Sequence, residues 1–148
     1  MKYFAYGSNM NPERMRKRGV DFLIREHAIL DGWRLVFNKV ASRNFREGYA
    51  NIERDETDTV EGVLYTLGEE DMEKLDVCEG YPCQYDRMTV RVRLDNGEEM
   101  QAVTYVAVPD IVKDGVKPSR KYLNHLLAGC DVLSAEYCAR LRKWETMD

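Results

Sequence analysis

Residues 85 to 108 constrain this chain more than any other stretch. From Tyr85 to Leu94 the side chains alternate, with Met88, Val90, Val92 and Leu94 on one face and Arg87, Thr89, Arg91 and Arg93 on the other. That is the period of a strand buried on one side. Asp95-Asn96-Gly97 follows as a tight-turn signal, and Glu99 to Val108 returns as the partner strand. An antiparallel hairpin is therefore fixed before anything else is known.

The rest of the chain supplies more strands and short helices. Tyr3-Phe4-Ala5-Tyr6 runs as a strand into Gly7-Ser8-Asn9, after which Asn11 as N-cap and Pro12 at the first helical position open a helix that Gly19 ends. Phe22 to Leu30 and Trp33 to Val40 read as two strands broken by a turn or bulge at Asp31-Gly32, with Trp33, Leu35 and Phe37 on one face. Ala41 to Gly48 is an exposed loop of the kind that borders a pocket. Tyr49 to Ile52 and Thr59 to Leu67 are the next strands, separated by the charged connection Glu53-Arg54-Asp55-Glu56, and Gly62 marks a bulge or a close backbone approach.

Glu69, Glu70 and Asp71 crowd the first turn of a helix with a buried stripe of Met72, Leu75 and Cys78, which Gly80 and Pro82 stop. After a loop from Pro109 to Lys117, Ser119 caps a helix through Tyr122, Leu123, Leu126 and Leu127 to Gly129, and Ser134 caps another carrying Tyr137, Leu141 and Trp144. Strands do not alternate with helices as a doubly wound sheet requires. The expected fold is α+β: one domain over residues 1–148, built as a mixed, mostly antiparallel β-barrel of six or seven strands with short flanking helices.

Composition narrows the function. A chain with 32% charged residues has no apolar run long enough to span a bilayer, and Met1-Lys2 leads straight into a strand rather than a leader. A cytoplasmic protein without membrane partners is expected. The net charge of −4 counts against nucleic acid as a partner. Arg14, Arg16, Lys17 and Arg18 read as the solvated face and last turn of the first helix, with a patch for an anionic partner as the lesser reading. Cys78, Cys83, Cys130 and Cys138 match no zinc-knuckle or redox spacing and are expected to be reduced thiols. Only His27 and His125 are available as imidazole ligands, so no metal or other cofactor is expected, and His27 reads as structural.

Two features carry chemistry. The opening loop, placed between a strand and a helix N-terminus, either points several amides at one spot suited to a carboxylate or carbonyl, or is an ordinary turn. Glu79 lies at a helix end among small, apolar and aromatic neighbours. It is either a partly desolvated carboxyl with raised proton affinity, able to shuttle protons, or a helix-terminal glutamate in water.

The chain resembles the gamma-glutamylcyclotransferase family, which includes gamma-glutamylamine cyclotransferase and AIG2-like proteins. Tyr3 to Asn9 is similar to that family's Tyr-Gly-Ser-Asn loop, and Leu75-Asp76 with Glu79-Gly80 to its Leu-Asp and Glu-Gly segment. Tyr85 with Val90 and Val92 resembles a Val-x-Val strand, and Pro118-Ser119 with Tyr122, Gly129 and Leu133 to Leu141 its closing helices. The matches run in order over nearly the whole chain.

The resemblance implies a closed or nearly closed barrel with a pocket between the opening loop and Glu79. It implies that a small-molecule gamma-glutamyl compound is cyclised to 5-oxoproline with release of an amine. Glu79 takes the catalytic position, the loop Tyr3, Phe4, Ala5, Tyr6, Gly7, Ser8 and Asn9 cradles substrate, and Tyr122 contacts it; Tyr85 and Tyr105 are further pocket candidates. The segments Ala41–Gly48 and Tyr81–Gln84 depart from the family pattern, which leaves the departing amine open. Other readings are a non-catalytic gamma-glutamyl-ligand binding protein and a dedicated deprotecting enzyme; monomer and homodimer both remain open.

Overall fold

In the computed structural model, which describes residues Met1–Asp148, five strands close into a barrel. Strand β1 (Lys2–Ala5) leads through a 3-10 turn (Ser8–Met10) to α1 (Pro12–Lys17). Strands β2 (Ile24–Val40) and β3 (Gly48–Thr66) form a long hairpin, followed by α2 (Glu69–Glu79). The expected hairpin is β4 (Tyr85–Leu94) and β5 (Glu99–Ala107), and α3 (Arg120–Leu127) and α4 (Ala135–Arg142) complete the chain. The order around the barrel is β1-β3-β2-β4-β5. Every pairing is antiparallel except that of β1 with β5, where Tyr3 pairs with Val103 in parallel and closes the sheet.

The strand count of five falls below the expected six or seven, because two apparent breaks are interruptions within long strands. Gly32, with φ +85°, does not end β2. Asp31 pairs with Thr59 and Trp33 with Arg54, so the ladder skips the four residues 55–58 on β3 opposite this one glycine and then resumes. Asp55 accepts hydrogen bonds from the amide and hydroxyl of Thr57, which shapes the skipped segment locally. A turn signal thus acts here as a bulge signal.

Local capping follows the sequence. The Asn11 side chain accepts from the Glu13 amide, Ser119 from Tyr122 and Ser134 from Tyr137, and Gly80 ends α2 in the left-handed region at φ +65°. At Gly62 a Cβ would come 2.5 Å from the Ala5 carbonyl and 2.7 Å from the Phe4 ring, so β1 lies flush against β3 there. The barrel core gathers Phe4, Leu64, Tyr65, Val92, Leu75 and Leu123, all fully buried. No helix is long and apolar enough to cross a membrane.

The cysteines differ from expectation. Cys130 and Cys138 are joined in a disulfide with Cα atoms 5.8 Å apart, linking the turn after α3 to α4. Cys78 and Cys83 are free but exposed, so Cys78 is not part of the buried stripe of α2, which consists of Met72 and Leu75.

Candidate active site

One cavity, about 300 Å³, is lined by Tyr3, Tyr6, Gly7, Ser8, Asn9, Ala50, Glu79, Tyr85, Tyr105 and Tyr122. The residues come from β1, the 3-10 turn, β3, the end of α2, the start of β4, the end of β5 and α3. Of the residues singled out from the sequence, nine therefore surround one space. Phe4 and Ala5 do not line it: both are buried in the barrel wall, where the Phe4 carbonyl accepts from Thr104 Oγ1 at 2.8 Å.

Glu79 reaches the cavity because α2 ends there. Its side chain is 16% exposed, and Oε1 accepts from Asn9 Nδ2 at 2.9 Å and from Arg18 Nη1 at 3.3 Å. Asn9 is itself fixed from several sides. Its amide nitrogen also donates to Tyr3 Oη at 3.0 Å, its amide oxygen accepts from Arg18 at 2.9 Å, and its backbone carbonyl accepts from Tyr65 Oη at 2.7 Å. Burial raises the proton affinity of Glu79 above that of an ordinary carboxylate, and it outweighs the opposing pull of Arg18, Asn9 and Arg14.

The tyrosine hydroxyls have fixed hydrogen-bond polarity. Tyr6 donates to the Tyr105 carbonyl at 2.5 Å, Tyr85 to the Ala50 carbonyl at 2.8 Å and Tyr105 to Asp76 Oδ1 at 2.6 Å. With their protons committed to protein acceptors, these three oxygens offer lone pairs to anything in the cavity. Tyr122 is the opposite case. Its oxygen accepts from the Ala50 amide at 3.0 Å, which leaves its own proton free. Burial holds the protons on Tyr3, Tyr6, Tyr85, Tyr105 and Tyr122, so all five remain neutral phenols. The arrangement gathers lone-pair acceptors, a hydroxyl donor and a carboxylate around one cavity, with Asn9 joining Glu79 to the turn of Gly7, Ser8 and Asn9.

Several residues at the site were not singled out from the sequence. Arg14 and Arg18, expected on a solvated face, turn inward: Arg14 Nε donates to Ser8 Oγ at 3.1 Å and Arg18 holds Glu79 and Asn9. Their i, i+4 spacing puts them on one helix face, a signal visible in the sequence, although nothing there says which way the face looks. Asp76, one helical turn before Glu79, is gripped by Arg87 and accepts from Tyr105. Lys39 continues the alternation of Leu35 and Phe37 and is buried with them.

A model of the family "Gamma-glutamyl cyclotransferase, AIG2-like" matches residues 3–124. The chain belongs to that family. It is 28% identical to the gamma-glutamylcyclotransferases of Bos taurus and of Homo sapiens over 152 aligned residues, covering 99% of this chain and 79% of each relative. A solved structure titled gamma-glutamyl cyclotransferase superimposes with a TM-score of 0.88 at 27% identity, over 100% of this chain and 89% of that one. YkqA from Bacillus subtilis gives a TM-score of 0.85 at 25% identity, covering 99% of this chain and 55% of that protein. Together these relatives support an enzyme of the cyclotransferase kind.

Proposed function

We propose that this protein converts a gamma-glutamyl amine or peptide to 5-oxoproline and the free amine, with Glu79 as general base and acid. The observation that carries the reading is a largely buried carboxylate tied to the opening turn through Asn9 and facing a tyrosine-lined cavity. Glu79 takes a proton from the substrate's α-ammonium. The freed nitrogen attacks the γ-carbonyl carbon of the same molecule, closing a five-membered ring at little entropic cost. The bond from that carbon to the departing nitrogen then breaks, and Glu79 returns the proton to the departing amine. A carboxyl with raised proton affinity suits both transfers.

In this reading the lone pairs of Tyr6, Tyr85 and Tyr105 receive the α-ammonium beside Glu79. The Tyr122 hydroxyl and the amides of Gly7, Ser8 and Asn9 meet the α-carboxylate or the developing oxyanion. Tyr3 positions Asn9. The chemistry uses no cofactor and no covalent enzyme intermediate.

Glu79→Gln is expected to cut 5-oxoproline release by at least about 10²-fold, the range of general acid–base contributions. A near-isosteric amide leaves the fold and most of the calorimetric affinity for a gamma-glutamyl compound in place. Undiminished release by the folded variant would overturn the assignment of Glu79.

A further inference from the structure

Glu79 accounts for only one of the cations of α1. Arg18 holds Glu79 and Asn9, but Arg14 and Lys17 form no ion pair, and neither does Lys121 on α3. Cations left without a counter-ion are unexpected in a chain whose net charge is −4. A groove of about 520 Å³ collects two of them: Arg14 from α1 and Lys121 from α3 line it together with His125, Ser119 and Glu47. The last four residues named belong to neither the tyrosine-lined cavity nor the space beside the end of α2.

His125 is fixed as a donor. Its Nδ1 faces Asn11 Nδ2 at 3.0 Å, and the Asn11 side-chain oxygen already accepts from the Glu13 amide at 3.0 Å, so Nδ1 accepts and the ring hydrogen is assigned to Nε2. Burial, and after it the charges of Arg14, Arg18, Lys121 and Lys17, weaken the hold of the ring on a second proton and keep it neutral at about pH 7. Arg14 bonds the Ser8 hydroxyl through Nε alone, which leaves both Nη groups without a partner.

Glu47 is the one acidic residue of the lining. Its Oε2 accepts from Ser119 Oγ at 2.7 Å, and its Oε1 has no protein donor. Two cations, a neutral N–H and one free carboxylate oxygen suit an anion that accepts on several sides and carries a hydrogen of its own. Hydrogen phosphate has that composition, whereas sulfate lacks the hydrogen.

We propose that this groove is a binding site for inorganic phosphate, with Arg14, Lys121 and His125 Nε2 donating to its oxygens and Glu47 accepting from its hydroxyl. The site is independent of the reaction assigned to Glu79. Glu47 acts as the filter. A fully ionised anion sets its charge against that carboxylate, while hydrogen phosphate turns the same contact into a charge-assisted hydrogen bond.

Calorimetry on the full chain at about pH 7.5 compares phosphate with sulfate and glycerol phosphate, neither of which keeps a proton there, since a phosphate ester loses its second near about pH 6. Phosphate is expected to bind at least about tenfold more tightly than either, the scale of a hydrogen bond to a charged group. Glu47→Gln brings sulfate to within about threefold of phosphate. Lys121→Met, at an exposed position, weakens phosphate about tenfold. In NMR spectra of the two imidazoles, phosphate shifts the Nε2 resonance of His125 and leaves His27 unmoved, and Glu79→Gln leaves the phosphate affinity unchanged. Equal binding of sulfate or glycerol phosphate, an unmoved His125 resonance, an affinity that survives in folded Lys121→Met, or a gain in Glu79→Gln that places the anion in the inner cavity would each overturn the site.

Discussion

A carboxylate that meets an arginine at 3.3 Å and an asparagine amide at 2.9 Å is ordinarily pulled below its usual proton affinity, but at Glu79 burial prevails and the shift is upward. Two outcomes follow for one residue. The folded protein holds this proton more tightly than the unfolded chain, so the carboxyl's stabilising contribution is full below the unfolded value, about 4.3, and is lost as pH rises through the folded one. Glu79→Gln is therefore expected to melt a few degrees above wild type at pH 7, with the gap closing near pH 4, as followed by circular dichroism. In the proposed role of base, Glu79 must be ionised. The kcat/KM profile should accordingly fall on the acid side with an inflection above the ordinary carboxylate value. Beside it, Tyr105 owes its orientation to Asp76, which Arg87 holds in turn. Tyr105→Phe removes one of the acceptors proposed for the α-ammonium and is expected to raise KM about tenfold, by steady-state kinetics.

At the scale of the elements, the cavity exists because the long hairpin of β2 and β3 carries Ala50 to it, and Ala50 orients two tyrosines through its amide and carbonyl. The barrel wall opposite depends on Gly62. Gly62→Ala places a methyl against the Ala5 carbonyl and is expected to cost about 1–3 kcal/mol in urea denaturation, the range for overpacking. Most elements were legible in the sequence because their signals are local: the alternation of β4, the Asp95-Asn96-Gly97 turn, and the caps at Asn11, Ser119 and Ser134. The two missed continuities, at Gly32 and across residues 55–58, were not, because a glycine or a charged run looks the same in a turn as in a bulge, and the pairing partner decides which it is. The same limit applies to the site. Residue type left Glu79 and the opening loop open between a site and ordinary local structure, and the family resemblance singled them out, whereas Arg14, Arg18 and Lys39 are ordinary basic residues until the fold turns them inward.

Across the whole molecule, the Cys130–Cys138 bond ties α4 to the helix that supplies Tyr122, and closing so short a loop is worth about 2–3 kcal/mol in the chain-entropy account. A thiol reagent should therefore count two reactive cysteines, Cys78 and Cys83, on the native protein and four after reduction and unfolding. Spacing alone could not anticipate this pair, since the two residues meet only when α4 packs. The proposal of intramolecular ring closure draws on family membership, the closed barrel and the tyrosine-lined cavity, and the identity of the products tests it most directly. With gamma-glutamylglycine in water enriched in oxygen-18, mass spectrometry is expected to find glycine and 5-oxoproline in equal amounts, neither enriched. Enriched glutamate would show attack by water and contradict the account.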